Sequence, residues 1–245
     1  MKYEKVQKTN PFDICIDQHV FPVKCIDRFK EGKVVELNDL KRNISRRAAP
    51  KDAVFVCKRL WDQWSETGFM KTVEDSFQEV VEDAVSGERI IKSRNEVVTQ
   101  FYSLWCAKSY ISRFSSNEPV HLPIEGDLLS KYEEEKIESM NMAFLRTNGE
   151  MPARFINGGQ AQLRYMHYCD LYRETTWGLV RAKGIEYLVP DNFSKALVVP
   201  ITPKLAFIGG CRDGVAARGD ILKVNEMAKA SATSYLFCRK FDRTA

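Results

Sequence analysis

Hydrophobic residues change their spacing twice along this chain, and that change limits the fold more than any single motif does. Across the middle they recur at helical spacing, and on either side they come in short runs that suit strands. Val73, Phe77, Val80, Val81 and Ala84 make one apolar stripe, opposed by Glu74, Asp75, Glu79, Glu82 and Asp83, and Ser86-Gly87 closes that helix. Residues 96–114 predict a longer helix. There Val97, Phe101, Leu104, Trp105, Lys108 and Ile111 leave so little polar surface that it reads as central. Residues 128–144 read as a charged, exposed helix, and helix resumes near Ala153 and runs to about Tyr172, with an interruption expected at Gly158-Gly159.

The flanks differ. Residues 12–16 and 34–37 read as strands, and 177–182, 185–189, 196–199 and 205–208 are short β-rich runs divided by turn residues, as in an antiparallel meander. An amphipathic helix over 220–237 is expected to end the chain. Strands, helices, strands and a last helix read as α+β: a mostly antiparallel sheet formed by N-terminal and C-terminal strands, with a helical middle region of about 70–173 inserted into a single domain of residues 1–245. Neither sheet fragment is large enough to bury its own face, so the strand at 12–16 is expected to pair with the C-terminal ones.

The stretch ICIDQHVFPVKCIDRF, residues 14–29, gathers Asp17, Gln18 and His19 just before Pro22, whose fixed φ suits the first turn of a helix. Val23, Ile26 and Phe29 then fall at helical spacing. At such a strand-to-helix junction a histidine can act as acid, base or metal ligand, or Gln18 and His19 can simply hydrogen-bond the turn. Farther along, Lys41, Arg42, Arg46 and Arg47, then Lys51, Lys58 and Arg59, alternate with Phe55, Trp61 and Trp64. Cations beside aromatic rings are what phosphate contact and base stacking require, and Arg42, Arg46, Arg47, Lys51, Arg59 and Trp61 are the candidate nucleic-acid contacts; a solvated loop explains them equally.

Composition removes several function classes. Seven cysteines stand apart with no CxxC pair, against a zinc site or a disulfide framework, and their odd number fits a reducing cytosol. The start MKYEKVQKTN lacks an apolar leader segment, and no apolar run is long enough to span a membrane, so a cytoplasmic protein with no membrane association is expected. A net charge of +4 permits nucleic acid without demanding it. GxSxG and HExxH are absent, and Gly209-Gly210-Cys211-Arg212-Asp213-Gly214 lacks the lysine of a phosphate loop.

The order of several short motifs resembles a bacterial and phage family known as domain of unknown function 4238. The motifs are Gln18-His19-x-x-Pro22, Val73-Glu74-x-x-Phe77, the helix of Phe101 to Ser112, Trp177, Leu188-Val189-Pro190-Asp191-Asn192, Val199-Pro200-Ile201-Thr202-Pro203, and Val224-Asn225 with Ala232 and Tyr235. The resemblance implies a family carried by bacteria and mobile elements, without an established activity, and two polar spots, Gln18-His19 and Asp191-Asn192. Phe193 stands where that family has proline, which loosens the transfer of any role to Asp191.

Two functions are consistent with these residues. One is a nucleic-acid-acting effector, a metal-dependent nuclease-like toxin or host/phage-defence protein, in which His19, Gln18, Asp191 and Asn192 are catalytic and a divalent metal such as Mg is held by His19 and Asp191. The other is a non-catalytic module that binds nucleic acid (RNA or DNA) or a partner protein. In the second, Asp191 and Asn192 only cap a turn. Arg164, His167 and Asp170, on one helical face near Arg154 and Arg173, make either a phosphate-facing surface or a salt-bridged network.

Overall fold

A computed structural model describes residues 3–87 and 94–241 of the chain. The first third carries β1 (Asp17–His19), α1 (Val23–Asp27), β2 (Val35–Asp39), β3 (Ile44–Ala48), β4 (Val56–Lys58) and the single turn α2 (Gln63–Ser65). A π-helical turn, Glu66–Met70, joins α2 to α3 (Lys71–Ser86). The middle continues with α4 (Arg94–Phe114), β5 (Val120–His121), α5 (Lys131–Ser139), β6 (Glu150–Met151) and α6 (Ala153–Leu171). Strands β7 (Trp177–Ala182), β8 (Val189–Pro190), β9 (Val198–Thr202), β10 (Leu205–Gly209) and β11 (Gly214–Ala216) follow, then α7 (Arg218–Ser231) and β12 (Tyr235–Cys238). The fold is α+β.

The two ends of the chain share a sheet of order β3-β2-β12-β8, in which β12 lies antiparallel between β2 and β8. The meander forms a second sheet, β11-β7-β10-β9, antiparallel except where β11 runs parallel to β7. The N-terminal strand that joins the C-terminal one is therefore β2. Residues 12–16 make no strand, because Asn10 and Asp13 take positive φ and the Asn10 side chain caps the Ile14 N–H, so extended pairing begins only at Asp17, with β4.

Helix α4 lies at the centre, packed on α3 and α6, with Phe101 stacked on Phe77 at 3.7 Å and Trp105 against Phe21 at 4.8 Å. Phe55, Tyr235 and Phe237 extend this aromatic core under the first sheet. Gly87 ends α3 in the left-handed region, φ 81°, which a residue without Cβ adopts at no steric cost.

Three helix expectations change. The last helix stops at Ser231, and Tyr-Leu-Phe-Cys becomes β12 because its aromatic side chains complete the core beneath β2. Helix α6 runs unbroken through Gly158-Gly159, since Gly158 lets it approach Asp62 and Ser65 so closely that a Cβ would meet the Asp62 carboxylate at 1.8 Å. Helix α5 is shorter than expected, starts at a Ser130–Glu133 capping box, and buries Glu134, Glu135 and Glu138. The run at 185–189 keeps only Val189 and Pro190 as strand. No helix among the described residues is long and apolar enough to cross a membrane.

Candidate functional site

Gln18 is a clamp inside the protein. Its Oε1 accepts from the N–H groups of Leu60 (2.7 Å) and Trp61 (3.1 Å), and its Nε2 donates to the Trp61 carbonyl at 2.7 Å, so both ends of the amide fix the chain entering α2. His19, next along β1, is half-buried and its Nε2 has no hydrogen-bond partner. Burial first and the Lys108 ammonium second hold the ring below the ordinary imidazole value, against the opposing pull of the Pro50 carbonyl, Glu66 and Asp17. Lys108 is the unexpected member. Buried at 2 % exposure on α4, it donates to Glu74 at 2.7 Å and lies 5.3 Å from the Trp61 ring centroid. Glu66, in the π turn, accepts from the Trp61 indole. Only the appearance of Lys108 within an apolar stripe marked it in the sequence.

Asp191 and Asn192 are held by other partners. The Asp191 carboxylate accepts from the Thr233 N–H (2.7 Å) and hydroxyl (2.6 Å), its backbone carbonyl accepts from the Trp105 indole and the Ser109 hydroxyl, and Asn192 donates to the Ser231 carbonyl. Both residues lock the turn between α7 and β12 onto α4. Phe193, where the resembled family has proline, is fully buried near Trp105 and has its carbonyl bound by the Tyr102 hydroxyl. His19 and Asp191 thus serve separate local networks. Among the described residues no three His, Cys, Asp or Glu side chains are grouped so as to hold a metal ion.

The basic segment divides. Arg59 is turned inward, 1 % exposed at the side chain, and donates to Glu138 at 2.5 Å and to the Glu4 carbonyl, while Trp61 is fully buried; neither presents itself to a phosphate or a base. The reason is local: Arg59 sits at positive φ just beyond β4, which rolls its side chain towards the acidic face of α5. Arg42 reaches Asp39 at 3.8 Å and remains mostly exposed, and Lys51 is exposed in the turn after β3. Arg46 forms a two-pronged pair with Asp52, both contacts at 2.7 Å. Arg47, its neighbour, is exposed.

Arg46 and Arg47 line a groove of about 1030 Å³ between the β3-β2-β12 face and α7. Its other cations are Lys204, Arg218, Lys229 and Lys240, against Glu36, Glu186 and Glu226, with apolar surface from Leu40 and Leu222. Lys204 donates to the carbonyls of Gly184 and Ile185 and has no carboxylate in ion-pair contact among the described residues. Phe241 adds an aromatic ring at one end. These C-terminal cations are scattered singly through the sequence, with no local signal that they would line the same groove as Arg47.

The other candidates do not join into one network among the described residues. Arg164 stacks on the Tyr110 ring, His167 is exposed, and Asp170 is 3.5 Å from Arg173. In the glycine-rich loop, Asp213 pairs with Arg94 and caps the Leu179 N–H. A scan against protein-family models and searches of curated proteins and of solved structures return no match for this chain.

Proposed function

We propose that the chain is a non-catalytic nucleic-acid-binding module, and that a single strand lies along the groove between α7 and the first sheet. The observation that carries this reading is the convergence of Arg47, Lys204 and Lys240 on one groove without a carboxylate paired to any of the three among the described residues. Uncompensated cations spaced along an open channel bind a phosphate backbone by releasing its counterions, and the apolar surface of Leu40 and Leu222, with Phe241, gives bases a place to lie. The catalytic reading, a metal-dependent effector of a toxin or phage-defence system, has less support. His19 and Asp191 are tied to different partners.

The test is fluorescence anisotropy with labelled single-stranded RNA and DNA over a salt series. Binding should weaken linearly in log salt, and Arg47→Ala with Lys240→Ala should flatten the slope by about 0.7 for each phosphate contact removed. Absence of binding at low salt, or a slope the double variant leaves unchanged, would remove the reading. Oligonucleotide cleavage in the same tubes, lost on His19→Ala, would instead favour the nuclease.

A further inference from the structure

The sheet shared by the two ends of the chain is open along one whole edge. In the order β3-β2-β12-β8, β3 pairs with β2 alone. Which of its backbone groups are free follows from a single bond. The Leu40 N–H donates to the Ser234 carbonyl, so at Leu40 the backbone continuing β2 points towards the β12 side. Antiparallel backbone alternates in direction, so Asn38 and Glu36 also point to β12, while Val35, Leu37 and Asp39 point to β3. Their partners Ala48, Arg46 and Ile44 point back. Ser45 and Arg47 are left with N–H and C=O directed outward. Both residues are exposed, and among the described residues no group bonds those backbone atoms.

The side chains along this edge set the kind of strand that fits it. Ser45 and Arg47 share a face with their β2 partners Asn38 and Glu36, and all four line the groove. Ile44, 44 % exposed, lies on the other face. Lys41 and Arg42 are exposed at one end of β3 and Lys51 at the other. Arg42 is 3.8 Å from Asp39, and Arg46 is held by Asp52. Among the described residues Lys41, Arg47 and Lys51 have no carboxylate in ion-pair contact, and Glu36, opposite Arg47, accepts from the Phe241 N–H.

Charges on an edge strand deter unwanted pairing. A second copy of β3 laid antiparallel on the first would set this strip of cations against itself, and like charges on neighbouring strands repel. A strand of opposite charge is favoured by the same residues.

We infer that β3 is a docking edge for an extended acidic segment of a partner protein, which adds a fifth strand to the four-stranded β3-β2-β12-β8 sheet. Its backbone pairs with Ser45 and Arg47, its carboxylates meet Arg47 and the cations at the strand ends, and an apolar side chain on the other face covers Ile44. Nucleic acid in the groove is not required for this, since a phosphate chain would meet the cations without pairing with the strand backbone.

The full chain is titrated with acetyl-Glu-Val-Glu-Val-Glu-amide and followed by NMR. The Lys-Val-Lys-Val-Lys counterpart, the fully N-methylated acidic peptide and oligothymidylate are run in parallel. The acidic peptide should give saturable shifts along β3 and slow hydrogen exchange at the Ser45 and Arg47 amides about tenfold. The lysine and N-methylated peptides should do neither. Ser45→Pro removes one outward N–H without breaking a bond to β2, and Arg47→Glu inverts an exposed charge. Each should weaken the acidic peptide about tenfold, the effect of losing one charge-assisted contact. Four results overturn the assignment: no saturable shift with the acidic peptide, equal shifts with the lysine or N-methylated one, shifts that leave the two amides unprotected, and equal amide protection by oligothymidylate. Protection already present in the free chain and rising with its concentration would assign the edge to a second copy instead, and overturns it too.

Discussion

The cations between Arg42 and Arg59 end in two contrasting environments. On one side Arg59 joins Arg154, Glu4 and Glu138 in a network whose guanidinium groups are almost wholly buried. On the other Arg47 stands in an open groove with Lys204 and Lys240. The same residue type, twelve positions apart, is structural in one place and available to a ligand in the other. What separates them is the acidic face of α5: where a carboxylate is buried beside a cation it captures it, and on the open face of β3 the Arg47 charge stays in solvent although Glu36 lies opposite it on β2.

That contrast is most severely tested by Glu138→Ala. It leaves Arg59 and Arg154 buried with only the Glu4 side for compensation and should cost about 3–5 kcal/mol, read from urea denaturation. If the loss is as small as that of a groove variant, the inner network is not a stabilising unit. Gln18→Ala comes next. Removing the clamp leaves the Leu60 and Trp61 N–H groups and the Trp61 carbonyl without partners and should cost about 1–3 kcal/mol. A near-neutral result would mean that this junction relaxes, and would return Gln18 to the list of functional candidates.

Acid sharpens the comparison because the groove cations do not titrate there. Burial pushes the Glu4 carboxyl up, but Arg154, Lys131 and Arg146 more than reverse it and hold the group well below its ordinary value of 4.5. Its contribution to stability is whole above that value and is lost as pH falls below it. The His19 ring is also held low, by burial and then Lys108, so the stability it confers as a neutral ring is whole above its ordinary 6.5 and declines as pH drops through the folded value. A melting-temperature series should therefore show a first decline that His19→Ala removes and a steeper one, at lower pH, that Glu4→Gln reduces. A single decline unaffected by either variant would refute this assignment. The smallest effect belongs to the groove: Arg47→Ala and Lys240→Ala should change stability by no more than about 0.5 kcal/mol, while altering the salt slope of nucleic-acid binding. A large loss of stability would make these cations structural as well.

Periodicity and turn chemistry located α3, α4 and α6, the central place of α4, and the meander in the third part of the chain, because these follow from local patterns of burial that each segment carries in itself. Segments whose conformation depends on what covers them were not legible. Tyr235–Cys238 has a pattern that continues a helix, yet becomes a strand because β2 offers an edge and Phe55 a surface. Leu128 to Phe144 looks solvated, yet buries three glutamates because Arg59, Arg146 and Arg154 arrive from elsewhere. The candidate sites show the same division. The local sequence marked Gln18, His19, Asp191 and the basic segment as polar groups in need of an explanation. Only the tertiary structure decided that Gln18 and Asp191 are satisfied by backbone and hydroxyl partners, that Arg59 is captured, and that Arg47 lines the same groove as Lys204 and Lys240. A side chain's charge is fixed by its own chemistry, but its partner is fixed by which distant segment packs beside it, and no local pattern carries that information.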